Sequence, residues 1–205
     1  MILEFAALIK QYKINPRGII QLGTHFFQER DEFIKLGIKE FVLVEPQKHA
    51  FRKLKSECKG LNVLAFNCAV SNFEGKFEMK CDILNEGQSS SLLEADEHKK
   101  IYPQIEFSRI EIVDVQMLKN LEFDRKKYNI LYIDLQGGEL NALNGSGTLL
   151  NYIDAIYTEV NLVSMYKNCV LLPQLDGYLH KHGFNRVSFG ENIKNKWGEA
   201  FYIKI

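Results

Sequence analysis

Short, nearly continuous apolar runs recur along the chain: Gly18–Leu22, Phe41–Val44, Leu61–Val70, Asn129–Ile133 and Ala155–Val160. A strand covered on both faces needs apolar side chains at successive positions, and a parallel sheet provides that setting. Between the runs the spacing is helical. Phe26, Arg30, Phe33, Ile34 and Gly37 fall at steps of three to four, as do Phe51, Leu54 and Cys58, and later Leu171, Leu175 and Leu179. Thr24 is the expected cap of the first of these helices, and Pro46 suits the first turn of the second. Met1–Lys10 reads as a short amphipathic helix, because Glu4 interrupts its apolar run.

The resulting order is β, α, β, α, β, an irregular stretch, then β, α, β, α and two last strands. Such alternation predicts an α/β fold with a mostly parallel sheet and helices on both faces. Val187–Phe189 and Ala200–Ile205 lie too close for an intervening helix and predict an antiparallel hairpin turning between Gly190 and Gly198. Within about 75–125 the pattern breaks. Lys76–Cys81 and Arg109–Asp114 alternate as half-exposed strands do. Asn85–Ser91 reads as a turn or loop, and Gly87–Leu93 is either a lid over an acceptor or a solvated turn. No repeat or linker is evident, so residues 1–205 are read as a single domain carrying this insertion.

At 205 residues the chain can bury a core without disulfides or metals. It has 26 basic and 26 acidic residues. A phosphate-gripping protein usually carries a basic excess, so nucleic acid is not the expected partner. No apolar stretch is long enough for a transmembrane helix, and no basic, cleavable leader is seen. Cys58, Cys68, Cys81 and Cys169 form no C-x-x-C pair, which predicts reduced thiols in a cytoplasmic setting. His180 and His182 stand two apart, and His49 and His98 have no partner at ligand spacing, so no metal is expected.

In open α/β sheets, ligands bind at the carboxyl ends of the strands, at the switch in strand order. That singles out Gly23–Glu29, Glu45–Pro46, Cys68–Asn72, Asp134–Glu139 and Glu159–Asn161. Glu45 ends a buried run 22 residues beyond Gly23. An acid at that distance from a glycine turn is placed to accept both hydroxyls of a ribose diol; otherwise it is a solvent-facing or capping acid. The turn Gln21–Phe27 holds one glycine where a dinucleotide pyrophosphate needs three. A ligand without phosphates, such as S-adenosylmethionine (SAM), demands less.

The segments Ile19–Glu29, Leu43–Pro46, Cys68–Asn72 with Gly75, Tyr132–Glu139 and Thr158–Asn161 together resemble the FkbM-type SAM-dependent methyltransferases. The resemblance runs from about residue 17 to the C-terminus. It implies a class I methyltransferase, with a seven-stranded Rossmann-like sheet ending in an antiparallel hairpin. It implies SAM as cofactor and methyl transfer to a hydroxyl of a sugar, surface glycan or related small acceptor, with the insertion on the acceptor side. The residues implied for the cofactor are Gln21, Gly23, Thr24, His25, Glu29, Glu45, Pro46, Cys68, Ala69, Val70, Asp134, Leu135 and Gln136. The family's first motif resembles G-A-H-x-G-x-E. Here Thr24 replaces alanine and Phe27 replaces the second glycine, so the Phe27 ring either crowds the methionine end of SAM or points into the core.

Asp134, His25, Glu139 and Glu159 are the candidate bases. Ser90, Ser91, Asn161 and Tyr166 are the candidate acceptor contacts. Each has a plainer alternative. His25 can be a satisfied histidine at a helix start, Asp134 a helix cap, and Glu139 a first-turn acid facing the helix dipole. Glu159 can hydrogen-bond Asn161 along one strand face, and Tyr166 can be packing. Two other functions remain open on sequence alone: a non-catalytic module that keeps the fold, and a nicotinamide-dependent oxidoreductase.

Overall fold

The computed structural model describes residues 3–192 and 194–205. Seven strands form the main sheet: β1 (Ile19–Leu22), β2 (Glu40–Val44), β3 (Asn62–Phe66), β7 (Ile130–Ile133), β8 (Ala155–Asn161), β9 (Phe184–Asn192) and β10 (Trp197–Lys204). Their order is β3-β2-β1-β7-β8-β10-β9. The first five are parallel, and β10 runs antiparallel to both β8 and β9. The order reverses between β1 and β7, so the crevice for a ligand lies above their carboxyl ends.

The continuous apolar runs follow from burial on both faces. Ile20, Leu22, Val42, Val44, Leu131 and Ile133 face one core, with Ala142 and Leu143 of α5 (Glu139–Asn144) and Leu175 and Leu179 of α6 (Leu172–Lys181). Ile19, Phe41, Leu43 and Ile130 face the other. That core is closed by Phe5, Leu8 and Ile9 of α1 (Phe5–Gln11), Phe33 of α2 (Arg30–Lys35) and Leu54 of α3 (Lys48–Glu57). The architecture is therefore the expected α/β sheet with helices on both sides.

The insertion forms a second, three-stranded sheet in the order β4-β6-β5. β4 (Ala69–Ser71) runs parallel to β6 (Arg109–Met117), and β5 (Gly75–Cys81) pairs antiparallel with β6, from Gly75 opposite Val115 to Cys81 opposite Arg109. Residues 82–108 leave and return at that last pair and carry the short helix α4 (Glu97–Ile101).

Four local expectations change. The run 61–70 is two strands in two sheets. Asn67 breaks it, its Nδ2 donating to the carbonyls of Glu45 and Pro46 at 2.9 and 3.0 Å. Thr24 caps no helix: α2 starts only at Arg30, and Thr24 Oγ1 instead accepts from Val44 N at 3.2 Å. His25 and Phe27 take φ of +49° and +65°, which keeps the helix from beginning earlier. Pro46 lies before the helix, with Gln47 at the cap position of α3. The last hairpin pairs out to Asn192 opposite Trp197, so Gly190 and Gly198 sit inside the strands. A Cβ on Gly198 would stand 2.4 Å from the Gly190 carbonyl, so Gly198 serves close strand approach.

Candidate functional site

Two cavities open above the switch point. The first holds about 1100 Å³ of empty space, its mouth included, and the second about 920 Å³. Pockets of this order suit a small molecule. Asp134, Gln136 and Gln88 belong to both.

The floor of the first cavity is the β1 turn. Gly23 has φ +77°, and a Cβ there would lie 1.7 Å from the Asp134 carbonyl oxygen. Glycine is thus required for the turn to lie against the end of β7, apart from any ligand. Glu45, leaving β2, is 3% exposed. Its two oxygens accept from His25 N and Gln47 N, each at 2.8 Å. Burial pushes its carboxyl up to about 7 against the opposing pull of those two bonds. Glu29 holds Gln21 Nε2 at 2.8 Å, and burial raises its carboxyl as well.

Thr24, His25, Glu29, Glu45 and Pro46 line this cavity from the β1 and β2 ends, and Cys68, Ala69 and Val70 from β4 and the residue before it. Leu135 and Gln136 line it beyond β7, and Ser90 and Ser91 from the insertion. Gln21 is buried beneath and does not reach it. His25 has both ring nitrogens engaged. Gln28 Nε2 donates to Nδ1 at 2.9 Å, and Nε2 donates to the Glu86 carbonyl at 2.9 Å. Burial lowers its pKa, so the neutral form prevails.

Phe73 and Phe77 also line this cavity, 39% and 41% exposed, with ring centroids 5.5 Å apart. Reasoning from the sequence missed both. The available signal was weak: Phe77 continues the apolar alternation of Met79 and Cys81, and Phe73 lies in the turn before β5.

The second cavity lies across Asp134. More than half of its lining comes from residues 82–108, with Glu159, Tyr166 and Trp197 opposite. Gln136, at φ +50°, donates through Nε2 to Asp134 Oδ1 at 2.7 Å and to Glu159 Oε2 at 3.0 Å. A non-glycine residue with positive φ at a ligand-lining position is the kind of strain that collects at functional sites. Burial raises the carboxyls of Asp134 and, further, Glu159, whose neighbour Asp134 adds to the shift. The two acids lie side by side and titrate as a coupled pair.

Three predicted residues stand differently. Glu139 is fully buried at the start of α5 and lines neither cavity. Its Oε1 accepts from Leu135 N at 3.0 Å and Gly137 N at 3.1 Å, its Oε2 has no partner, and burial pushes it up to about 7. Asn161 also lines neither cavity, and its buried amide has no hydrogen bond, so the Glu159–Asn161 bond is not formed. Phe27 is 2% exposed and packs on Phe33 and Phe41, centroids 6.1 and 5.7 Å away. Of its two expected positions, the ring takes the core.

The insertion's loop is folded onto the site. Asp82, 1% exposed, accepts from Asn85 N, Gly87 N and Ser89 N at 2.8, 3.2 and 2.8 Å. Gln47 Nε2 donates to the Gly87 carbonyl at 2.8 Å, and Ser91 Oγ to the Gln136 carbonyl at 2.8 Å. Gly87–Leu93 is therefore a tethered wall between the two cavities. Among the described residues no cluster of three or more His, Cys, Asp or Glu could hold a metal ion.

Solved structures share this fold at low identity. A ribosomal protein L11 methylase from Lactobacillus delbrueckii subsp. bulgaricus is 10% identical with a TM-score of 0.57, over 97% of this chain and 76% of that one. Magnesium protoporphyrin IX methyltransferase (ChlM) from Synechocystis PCC 6803, solved with bound SAM, is 8% identical with a TM-score of 0.57, over 98% and 76%. These likenesses establish a Rossmann-like methyltransferase fold. No curated protein sequence matches the chain. The profile of the Methyltransferase FkbM domain matches residues 17–186. The chain belongs to the FkbM methyltransferase family.

Proposed function

We propose that this protein is a SAM-dependent O-methyltransferase acting on a hydroxyl of a sugar, surface glycan or related small acceptor. The family and fold make it a methyltransferase with SAM as cofactor. The hydroxyl acceptor and the residue roles are our reading. The observation that carries it is Asp134, whose carboxylate borders both cavities. A donor in the first and an acceptor in the second meet there.

The residues present fit the cofactor. Glu45 would hold the ribose hydroxyls, its carboxylate oriented by two backbone donors. Val70, Phe73 and Phe77 would flank the adenine. When bound, SAM supplies a methyl group on a sulfonium, which an oxygen nucleophile can take. Asp134 would accept the acceptor's hydroxyl proton as the methyl is transferred. Gln136 fixes the two carboxylates relative to each other. Alignment of the acceptor can contribute about 7–11 kcal/mol. The domain works as one unit across 1–205, with the insertion forming the acceptor side. The four free thiols, three of them buried, support a reducing, cytoplasmic setting. No helix of the described residues is long and apolar enough to cross a membrane.

Phe27 lies in the core rather than against the methionine end of SAM, so it lends no support to a non-catalytic module. Calorimetric titration tests the reading. SAM and its demethylated product S-adenosylhomocysteine should bind with a defined stoichiometry and NAD should not; the reverse pattern would sink the proposal.

A further inference from the structure

We infer that the second cavity accepts a hydroxyl-bearing ring that carries no negative charge, and that His98 holds an oxygen of that ring away from the one that reacts. This rests on the methyl-transfer reading above. No lysine or arginine lines the cavity, and its carboxylates are the half-buried Asp134 and Glu159. A phosphate or carboxylate on the acceptor would sit beside two acids with no cation to pair with. The wall opposite is aromatic. Trp197 Nε1 donates to Tyr102 Oη at 2.9 Å, which uses the indole's one donor and leaves its ring as an apolar face. A sugar ring offers C–H faces to such a wall and hydroxyls to the polar side.

His98 is the unused polar group. It is 4% exposed and packs among Tyr102, Phe107 and Tyr166, with centroids 5.0, 5.2 and 5.4 Å away. Its Nδ1 is enclosed with no hydrogen-bond partner. A proton there would be a buried orphan donor, so the neutral ring carries its proton on Nε2. Burial also lowers the pKa of this imidazole, which keeps it neutral. The Nε2–H is then a donor for a ligand oxygen in the cavity that His98 lines.

The chain has a single tryptophan, so its fluorescence reports on this cavity alone. Protein saturated with S-adenosylhomocysteine would be titrated with the methyl glycosides of glucose, mannose and galactose, with the corresponding 6-phosphates, and with glucosamine. A saturable change is expected from at least one uncharged sugar, and none from its 6-phosphate at about tenfold higher concentration. A 6-phosphate that binds as tightly as the uncharged sugar overturns the inference, as does silence from every sugar without a phosphate, glucosamine included. His98→Ala should raise the half-saturating concentration at least about fivefold, and His98→Gln, which restores a donor, should recover part of it. An unchanged titration in His98→Ala removes the residue from this role. S-adenosylhomocysteine affinity, read by calorimetry in each variant, checks folding. A wild-type protein that does not bind it fails the methyl-transfer reading, a result separate from any preference among sugars.

Discussion

Tyr166 and Gln136 are joined by a 2.8 Å hydrogen bond from the phenol hydroxyl to Gln136 Oε1. The bond decides which end of the amide faces the acid pair. With Oε1 turned to Tyr166, Nε2 is left for Asp134 and Glu159. The same hydroxyl lies 2.9 Å from the Ser89 carbonyl, so the orientation of the acids is linked to the insertion's loop.

Tyr166→Phe should therefore act through Gln136. Turnover should fall about three- to tenfold, the value of one hydrogen bond, while the KM for SAM stays within about twofold. Steady-state kinetics separate the two. A change confined to the KM for SAM would show that Tyr166 supports the first cavity instead.

Glu45→Ala removes the acceptor of two backbone donors and the proposed ribose ligand together. SAM affinity should fall at least about 100-fold, since hydrogen bonds to a charged group are worth roughly 1.5–3 kcal/mol each. Calorimetry measures the affinity, and far-ultraviolet circular dichroism shows whether the fold persists. Undiminished binding would take the cofactor out of the first cavity.

Phe27→Gly sets two effects against each other. Glycine relieves a left-handed backbone, worth roughly 1–2 kcal/mol. Removing a core phenylalanine costs about 3–5 kcal/mol. Lost packing outweighs the relieved backbone, so the variant should be less stable by on the order of 1–4 kcal/mol in urea unfolding, with SAM affinity nearly unchanged. A large gain in affinity would mean that the ring obstructs the ligand after all.

Glu139 offers a pH test. Its carboxyl is raised from 4.5 to about 7 by burial, so over that interval the folded state holds a proton that the unfolded state has lost. Stability from this group is complete below the unfolded value and declines as pH rises toward 7. Glu139→Gln has no charge to bury and keeps an oxygen for Leu135 N and Gly137 N. Its stability relative to wild type should improve between pH 5 and pH 8, by on the order of 1–3 kcal/mol. Thermal melts across that range check the sign. Turnover should stay within about threefold, because the side chain borders neither cavity; loss of activity would return Glu139 to the candidate bases.

The sheet was readable from the chain because its strands are apolar on both faces, as Ile19 and Ile20 show by entering opposite cores. Strand ends then nominated Glu45 and Asp134 without any motif. What pattern could not reveal was contact across the sequence. Nothing in periodicity brings His98 or Trp197 near Asp134, since the chain arrives there by way of an irregular excursion and a distant strand. Gly198 misled for a related reason. A glycine required by a neighbouring backbone looks the same as one required by a turn. Glu139 was nominated by its place after the fourth strand, but its side chain folds back on the peptide of its own turn.

The pair Cys81–Arg109 closes the base of residues 82–108 like the neck of a purse. Because that closure is already enforced by the small sheet, doubling the length of the excursion would add only about 0.6 kcal/mol of loop entropy. Its sequence is not free to vary, however, because Ser90 and Ser91 line the first cavity and the Glu86 and Gly87 carbonyls hold His25 and Gln47.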